Sequence, residues 1–249
     1  MAAALTVDAL SVDFSGFKAV DGVNLIVDDG ELRVLLGANG AGKTTLMDLI
    51  SGKTKSTSGK VYVGDKEITN WPIHQIARAG IGRKFQIPSI FRDLSVRQNL
   101  EVAACPSFGV FSNIRFGFGW AAGDKIDGAM ELAELADLQR KPAGELSHGQ
   151  MQWLELAMLI VQDRRIILLD EPTAGMTAAE TLKTSRIINR MRGKHTLIVV
   201  EHDMSFVREI AEKITVMHLG KILAEGKIDA IEKNEAVRKA YLGSRGIAA

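Results

Sequence analysis

Short apolar segments, each followed by small or polar residues, recur along the chain. Residues 166–169 and residues 197–200 are apolar throughout, and each run is too short to form a helix. Both runs therefore predict strands that are buried on both faces, as in parallel sheets. An earlier segment, Leu32–Leu36, leads into a glycine-rich loop and also predicts a strand.

Segments with helical spacing follow these strands. Apolar residues recur at intervals of three and four after the glycine-rich loop, which predicts a helix from about Thr44 to Ser51. Gly52 then stands where a C-terminal cap belongs. Strands that alternate with helices predict an α/β core with a largely parallel sheet.

Two local signals mark the later part of the chain. Thr177 and Glu180 form a capping box, which predicts the start of a helix that runs toward Met191. Residues 215–224 contain two apolar segments around a turn at Gly220, which predicts an antiparallel hairpin.

Residues 88–146 depart from this alternation and are mainly helical. Helical patterns cover Val96–Ala104 and residues 128–138, and a stretch rich in phenylalanine and glycine, residues 108–120, separates them. This stretch is either a loop that covers its own apolar cluster or an exposed surface for a partner.

The alternation of strands and helices, and the helical region that interrupts it, together predict that the chain has three parts. Residues 1–87 and 155–225 form a discontinuous α/β core. Residues 88–154 form a helical subdomain inserted into that core, and residues 226–249 form a C-terminal tail.

Composition narrows the class of protein. The 249 residues carry a formal net charge of +1 and are 46% hydrophobic, which argues for a globular chain and against a basic nucleic-acid-binding one. The single cysteine, Cys105, cannot form an internal disulfide, which fits a reducing compartment. No apolar run approaches the roughly 20 residues that span a bilayer, and the first residues lack a signal-peptide pattern. We expect a soluble, cytoplasmic chain with no nucleic-acid partner.

The glycine-rich loop carries the clearest chemistry. Residues 37–44, GANGAGKT, match the P-loop pattern, in which backbone N–H groups cradle phosphate oxygens. The Lys43 ammonium supplies charge to the β- and γ-phosphates, and the Thr44 hydroxyl can ligate Mg²⁺. A fortuitous glycine-rich loop is the alternative, and the flanking strand and helix argue against it. The predicted nucleotide-binding residues are Gly37, Asn39, Gly40, Gly42, Lys43, Thr44 and Thr45.

The strand at residues 166–169 ends in two carboxylates. It delivers Asp170 and Glu171 to the edge of the sheet at which ligands of parallel sheets bind. Asp170 can hold Mg²⁺ through water, and Glu171 stands where a general base would polarise an attacking water. Two acidic residues after a strand usually only mark the point where the chain reaches solvent. The presence of a P-loop favours the catalytic and metal-binding interpretation here.

A further capping box opens a helix at residues 146–150, LSHGQ. Ser147 and Gln150 form the box, which by itself stabilises a helix by roughly 1 kcal/mol. Gly149 would keep the start of this helix accessible to the phosphates of a ligand.

These motifs, in their order along the chain, resemble those of the ATP-binding subunits of ABC transporters. The motifs are the P-loop, Gln86, residues 146–150, Asp170 with Glu171, and residues 201–203. Within that family the chain resembles the branched-chain amino acid importer type, and most closely the ATPase subunits of urea importers. The finer resemblance rests on residues 82–86, 146–153, 174–177 and 240–243.

The resemblance implies a fold and a set of roles. The fold is a P-loop NTPase core with a largely parallel sheet, an antiparallel β part and an inserted α-helical subdomain. Phe14 would stack on adenine, with Phe17 as the rival, and either could instead be a core residue. Gln86 would contact Mg²⁺ and link the core to the insert. Glu171 would be the catalytic base, and His202 would contact the γ-phosphate.

The resemblance also implies that two subunits share each ATP. Ser147, Gly149 and Gln150 would close on the ATP bound by the P-loop of the other subunit. Two departures concern this interface, since His148 replaces a glycine of the usual signature and Thr177 stands where Asp or Asn is common. We expect the His148 side chain to point away from the phosphate and Thr177 to serve chiefly as a helix cap.

The implied function is ATP hydrolysis, with ATP and Mg²⁺, that energises an importer. The partners would be a second nucleotide-binding subunit, identical or paralogous, membrane permease subunits and, indirectly, an extracytoplasmic solute-binding protein. The chain would lie peripherally on the inner face of the plasma membrane. Urea, amides and branched-chain amino acids all remain candidate solutes.

Two other functions stay open on the residues alone. A soluble ABC ATPase of translation or DNA repair would share the nucleotide motifs, but such chains usually carry a second nucleotide domain or a long insert. A P-loop kinase would use Lys43 and Mg²⁺ for transfer to a small molecule and would leave residues 146–150 unexplained.

Overall fold

The computed structural model describes residues 2–84, 90–105 and 120–242, and these form two compact units. The first unit is drawn from residues 2–83, 165–172 and 191–242, and the second from the described parts of residues 84–164 and 173–190. The sequence pattern instead predicts that residues 155–225 belong to the core. The two units are defined by contacts between residues, and the predicted domain boundaries stay a prediction.

The described residues contain strands and helices throughout, numbered here in chain order. The strands are β1 Ala3–Phe14, β2 Phe17–Asp28, β3 Leu32–Leu36, β4 Ser58–Val63, β5 Lys66–Glu67, β6 Ile81–Lys84, β7 Ile166–Asp170, β8 Thr196–Val200, β9 Lys213–His218 and β10 Lys221–Gly226. The helices are α1 Lys43–Ile50, α2 Ile73–Arg78, α3 Val96–Ala104, α4 Trp120–Leu132, α5 His148–Val161, α6 Ala178–Met191, α7 Met204–Ile210, α8 Ile228–Lys233 and α9 Glu235–Val237. Short 3₁₀ turns lie at Ala136–Leu138 and Ala143–Glu145, and a π turn at Arg238–Leu242.

A six-stranded sheet holds the strands that the sequence predicts. Its order is β10-β9-β3-β8-β7-β6, with β3 parallel to both β8 and β9, and β7 parallel to β8. The strands β3, β7 and β8 are buried along their whole length. The pair β9 and β10 is antiparallel and closes through Gly220. The predicted strands, the largely parallel sheet and the late hairpin are therefore confirmed.

A second sheet of the first unit is antiparallel, in the order β2-β1-β4-β5. Apolar side chains of both sheets and of α1 form one buried cluster, which includes Leu5, Val20, Leu46, Ile166 and Val200. Burying such side chains is the main favourable contribution to folding, at roughly 1.5–3 kcal/mol for each large one. The cluster holds α1, and with it the glycine-rich loop, against the sheet.

The charged side chain of Arg33 lies inside this apolar unit. Arg33 of β3 is fully buried, and its Nη1 donates to Thr215 Oγ1 at 2.8 Å and to Glu225 Oε1 at 2.6 Å. Its Nη2 donates to the carbonyl of Ile26 at 2.9 Å, and its Nε pairs with Glu31. Because each of its nitrogens has an acceptor, the buried charge is compensated, and the guanidinium joins strands of the two sheets.

The helix starts and ends follow local signals, with one correction. The residue after the C-cap of α1 is Gly52 at φ 75°, as predicted. The helix predicted over residues 128–138 is wrong in its bounds, because α4 already begins at Trp120 and ends at Leu132. Glu134 adopts φ 53°, a left-handed conformation that stops a helix, and a 3₁₀ turn follows.

The second unit packs α5 against α6. The Nε1 of Trp153 donates to Thr184 Oγ1 at 2.9 Å, and the ammonium of Lys183 lies 3.8 Å from the centroid of the Trp153 ring. Such a cation–π contact contributes about 0.5–1 kcal/mol at exposed sites and more when it is desolvated. These two contacts fix the register between the two helices.

None of the helices in the described part of the chain is long and apolar enough to cross a bilayer. Most of the stretch at residues 108–120 lies outside the described residues, so both interpretations of it stay predictions.

Candidate functional site

The glycine-rich loop joins β3 to α1 in a conformation that needs glycine. Gly40 and Gly42 have φ values of 80° and 100°, where side chains with a Cβ are strained. A Cβ on Gly42 would also lie 2.4 Å from the carbonyl oxygen of Ala19. The backbone therefore turns tightly into α1, and the N-terminus of that helix is available to an anion.

The turn of the β9–β10 hairpin holds the other side of this loop. The N–H of Gly220 donates to the carbonyl of Ala41 at 3.0 Å, and the N–H of Asp21 donates to the carbonyl of Gly220 at 2.9 Å. Lys221 pairs with Asp21 at 3.1 Å. The late hairpin thus has a structural role in supporting the loop, which the sequence analysis did not assign to it.

The Lys43 ammonium lies within the loop. It donates to the carbonyls of Gly37 at 2.7 Å and Ala38 at 3.1 Å, and the residue is buried. Burial lowers the pKa of Lys43, while the nearby carboxylates of Glu171 and Asp170 raise it. The loop lysine, Asp170 at the end of β7 and Glu171 directly after it therefore share one electrostatic environment.

The remaining residues predicted to bind nucleotide lie near the surface. Asn39 and Thr44 are exposed, and Thr45 is half-buried. Phe14 and Phe17 face each other across the β1–β2 hairpin, with 49% and 66% of their surfaces exposed. The alternative that either of them is a core residue is wrong, and both rings remain available to stack on a base.

The carboxylate of Asp170 is buried at the end of β7 and is held by an arginine. The Nη2 of Arg83 lies 3.2 Å from Asp170 Oδ2, and the Nη1 of the same guanidinium pairs with Asp48. Burial raises the pKa of Asp170, and the positive charge of Arg83 opposes that rise. Among the described residues, Asp170 Oδ1 is buried without a hydrogen-bond partner. A buried carboxylate oxygen of this kind suits a hydrated divalent cation.

Glu171 follows in an unusual backbone conformation. Its φ is 47°, and its N–H donates to the carbonyl of Val200 at 3.0 Å. A non-glycine residue in the left-handed region costs free energy and is often found at functional sites. Its Oε1 lies 3.4 Å from Nδ1 of His202, which follows β8, and the side chain of His202 is 60% exposed. The structure thus brings the predicted base and the predicted histidine together.

The residue after this histidine caps a helix. Asp203 is the N-cap of α7, and its Oδ1 accepts from the N–H of Ser205 at 2.8 Å. The hydrogen bond from the Ser205 hydroxyl holds the pKa of Asp203 below its ordinary value. This cap fixes the chain direction immediately after His202.

The second unit contains the residues at 146–150. Ser147 is the N-cap of α5, and it exchanges hydrogen bonds with Gln150 at 3.2 Å and 3.0 Å, so this predicted box is confirmed. A Cβ on Gly149 would lie 2.4 Å from Oε1 of Glu180. The space that this glycine leaves is therefore next to a carboxylate, a contact that the sequence analysis did not foresee.

That carboxylate belongs to the other predicted capping box. Glu180 Oε2 accepts from the N–H and from the hydroxyl of Thr177, both at 2.9 Å. Thr177 Oγ1 in turn accepts from the N–H of Glu180 at 3.3 Å, which confirms Thr177 as a helix cap. The backbone hydrogen bond from Thr177 lowers the pKa of Glu180. The Nε2 of His148 lies 3.1 Å from the carbonyl oxygen of Ala174. His148 therefore contacts the loop before α6.

Sequence reasoning missed some residues of the site, and one predicted residue cannot be placed. Gln86 lies outside the described residues. Arg83 was missed, because its partners Asp48 and Asp170 are distant from it in sequence. Asp48 carried no signal, since acidic residues on helices are usually solvated, and Glu180 was predicted only as part of a capping box.

Comparisons with known proteins agree with this arrangement. A protein-family model described as "ABC transporter" matches residues 20–174. The chain is 36% identical over 248 residues to the high-affinity branched-chain amino acid transport ATP-binding protein LivG of Escherichia coli, covering 96% of this chain and 97% of that protein. It is 35% identical over 250 residues to BraF of Pseudomonas aeruginosa, another such transport ATP-binding protein, again covering 96% and 97%.

A solved structure is similar over the same length. The ADP conformation of MJ1267, an ATP-binding cassette of an ABC transporter, matches with a TM-score of 0.84 at 29% identity. The match covers 98% of this chain and 99% of that one.

Proposed function

The chain belongs to the ABC transporter family as an ATP-binding, ATP-hydrolysing subunit, and from that premise we propose how its residues work and what they energise. Membership confirms the resemblance and the fold class that the motifs imply. The observation that carries the proposal is the convergence, within the first unit, of Lys43, Asp170, Glu171 and His202.

Lys43 and the loop glycines bind the triphosphate of ATP. The ammonium exchanges its contacts with loop carbonyls for phosphate oxygens, and the N–H groups at the start of α1 add further donors. Asn39, Thr44 and Thr45 lie on the same loop and first turn. Phe14 stacks on the adenine, and its exposed ring is consistent with this role.

Thr44, Asp170 and Gln86 hold Mg²⁺. The buried, unpartnered Oδ1 of Asp170 fits a cation or its water, and hydroxyl and carboxylate oxygens are ligands that Mg²⁺ prefers. When bound, Mg²⁺ neutralises charge on the phosphates during transfer.

Glu171 is the general base and His202 stabilises the transferred phosphoryl group. The carboxylate accepts the proton of the attacking water, and the imidazole 3.4 Å away restrains the orientation of that carboxylate. Its left-handed backbone, tied to β8 through Val200, keeps the side chain at the end of the sheet.

Two chains share each ATP. Ser147, Gly149 and Gln150 of one chain contact the γ-phosphate held by the P-loop of its partner, either an identical subunit or a paralogue. Charge-assisted hydrogen bonds from both chains hold the dimer closed, and loss of phosphate releases it. Gln86, just before the insert predicted at residues 88–154, couples this cycle to a permease. Gln86→Ala is therefore expected to change the ATPase activity of the reconstituted complex by breaking its coupling to the permease.

The dimer energises import through membrane permease subunits, with an extracytoplasmic solute-binding protein as an indirect partner. The chain then lies peripherally on the inner face of the plasma membrane. The transport proteins LivG and BraF support branched-chain amino acids as solutes, and residues 146–153 and 174–177 support urea. A non-transport ABC ATPase is not favoured, because relatives of matching length are transport proteins.

Uptake by the reconstituted complex tests this proposal. The chain is co-expressed with permease subunits and a solute-binding protein of a branched-chain amino acid or urea importer, and the complex is placed in vesicles and supplied with labelled leucine or labelled urea. ATP-dependent uptake of either solute supports the proposal and identifies the substrate. If the chain instead purifies with ribosomes or DNA and never with permeases, the transport role is wrong.

A further inference from the structure

A buried arginine joins the helix after the P-loop to the strand that ends in Asp170. Arg83 lies on β6, and its side chain is 5% exposed. Its Nη1 pairs with Asp48 of α1 and donates to Ser51 Oγ at 2.8 Å, while its Nη2 lies 3.2 Å from Asp170 Oδ2. One guanidinium therefore contacts α1 and β7 together.

The contacts of Arg83 link Thr44 and Asp170, the two described residues that are proposed to hold Mg²⁺. Thr44 and Asp48 lie four residues apart on α1, so they occupy the same side of the helix. Fixing Asp48 to Asp170 through Arg83 therefore fixes the first turn of α1 relative to the end of β7. The separation between the Thr44 hydroxyl and the Asp170 carboxylate depends on that link.

The two oxygens of Asp170 have different surroundings. Oδ2 accepts from Arg83, whereas Oδ1 is buried and has no hydrogen-bond partner among residues 2–84, 90–105 and 120–242. A carboxylate with one oxygen held can rotate less, so the other oxygen keeps a single direction. Leaving such an oxygen unpartnered costs free energy, which a positively charged ligand would recover.

Resting on the metal role of Asp170 in the proposed function, we propose that Arg83 is a positioning residue for the Mg²⁺ site. Its guanidinium holds Oδ2 of Asp170 and the C-terminal half of α1, and leaves Oδ1 as the oxygen available to the cation. The planar guanidinium suits this role, because its Nη1 and Nη2 reach two carboxylates at once. A lysine ammonium is a single point charge and lacks this forked geometry.

Cation and nucleotide binding, measured separately on the full chain, test the proposal. The probes are Mn²⁺, followed by its electron paramagnetic resonance signal, and a non-hydrolysable ATP analogue. For Arg83→Gln we expect the affinity for Mn²⁺ in the presence of the analogue to fall about tenfold, as is typical when a partner of a metal ligand is lost. The affinity for the analogue in EDTA should stay within about twofold, because Lys43 and the loop glycines are unchanged. Arg83→Lys should recover part of the loss.

Ser51→Ala is the matched control, since it removes one contact of the guanidinium and keeps its pairing with Asp170. It should leave the Mn²⁺ affinity within about twofold. Unchanged Mn²⁺ affinity in Arg83→Gln, or an equal loss of both affinities, would overturn the proposal. If Arg83→Gln does not fold, the Mn²⁺ affinity and the analogue affinity of Arg83→Lys are measured instead, and the same two outcomes would overturn the proposal.

Asp170→Asn separates this inference from the proposed function. If Asp170→Asn loses Mn²⁺ and the Arg83 variants do not, the positioning role alone fails. If Asp170→Asn binds Mn²⁺ normally, the metal assignment fails, and the role of Arg83 fails with it.

Discussion

Nδ1 of His202 lies 3.4 Å from Oε1 of Glu171. The two residues follow neighbouring parallel strands, β8 and β7, and the N–H of Glu171 is tied to the carbonyl of Val200. The pair therefore depends on the register of the sheet and on the left-handed backbone of Glu171. This geometry underlies the first two predictions.

Glu171→Gln should bind ATP and lose turnover. The amide cannot accept a proton from water, so we expect the ATPase rate to fall by about 10²–10⁴-fold while the Kd for ATP changes little. The variant should accumulate as an ATP-bound dimer in size-exclusion chromatography. Glu67→Gln, at an exposed position on β5, is the control and should hydrolyse ATP normally. Undiminished hydrolysis in Glu171→Gln would remove Glu171 as the base.

His202→Ala should lower kcat by about 10²–10³-fold, because a group that stabilises transition-state charge is removed. KM should change less than kcat. A double variant with Glu171→Gln should cost less than the sum of the single effects, since the two side chains act as a unit. Steady-state kinetics of the four proteins check this prediction. Strictly additive effects would show that the contact is incidental.

Gly149→Ala should destabilise the chain through Glu180. The new Cβ would meet Oε1 of Glu180 at 2.4 Å, so the carboxylate would have to move and give up its hydrogen bonds with Thr177, at a cost of about 1 kcal/mol. Gly128→Ala is the matched control, since Gly128 lies in α4 with nothing near its Cβ position, and it should be neutral or stabilising.

Denaturant unfolding measures both changes. Glu180→Ala alone loses the same hydrogen bonds with Thr177, so adding Gly149→Ala to it should cost little more stability. An active Glu180→Ala beside an inactive double variant of equal stability would point to a phosphate-binding role for Gly149. No loss of stability in Gly149→Ala would contradict the steric account.

Asp203→Ala should remove about 1 kcal/mol of stability at neutral pH, the usual cost of losing an N-cap. The pKa of Asp203 is lower in the folded chain because of the Ser205 hydrogen bond. Its contribution is therefore complete above the unfolded pKa, about 3.9, and is lost as the pH falls through the lower folded pKa.

Unfolding free energies of wild type and Asp203→Ala should accordingly converge below that range. Asp203→Asn, which keeps a capping side chain, should stay closer to wild type at neutral pH. A difference between wild type and Asp203→Ala that is constant down to acidic pH would contradict the role of the ionised carboxylate.

The parts of the fold that the sequence predicts are those with unambiguous local patterns. The strands β7 and β8 are continuous apolar runs buried on both faces, and the boxes at Ser147 and Thr177 are set by residues three positions apart. The end of α4 could not be predicted, because the left-handed conformation of Glu134 has no marker in its residue type.

The site was predictable where a sequence motif defines it, and not where it depends on contacts between residues distant in sequence. Lys43, Asp170 and Glu171 follow from the P-loop and a buried strand. Arg33 and Arg83 are buried by partners distant in sequence, such as Thr215 and Asp170, and an arginine in a strand otherwise indicates an exposed face. The contact between Gly149 and Glu180 depends likewise on how α5 and α6 pack.

In the proposed mechanism, two chains hold each ATP together. Specific ATPase activity, measured over a wide range of protein concentration with sedimentation velocity on the same samples in Mg²⁺ and ATP, tests it most directly. We predict that activity per chain rises with concentration in step with the fraction of dimer, and that monomers are nearly inactive. Full activity per chain in samples that sediment as monomers at every concentration would contradict the account.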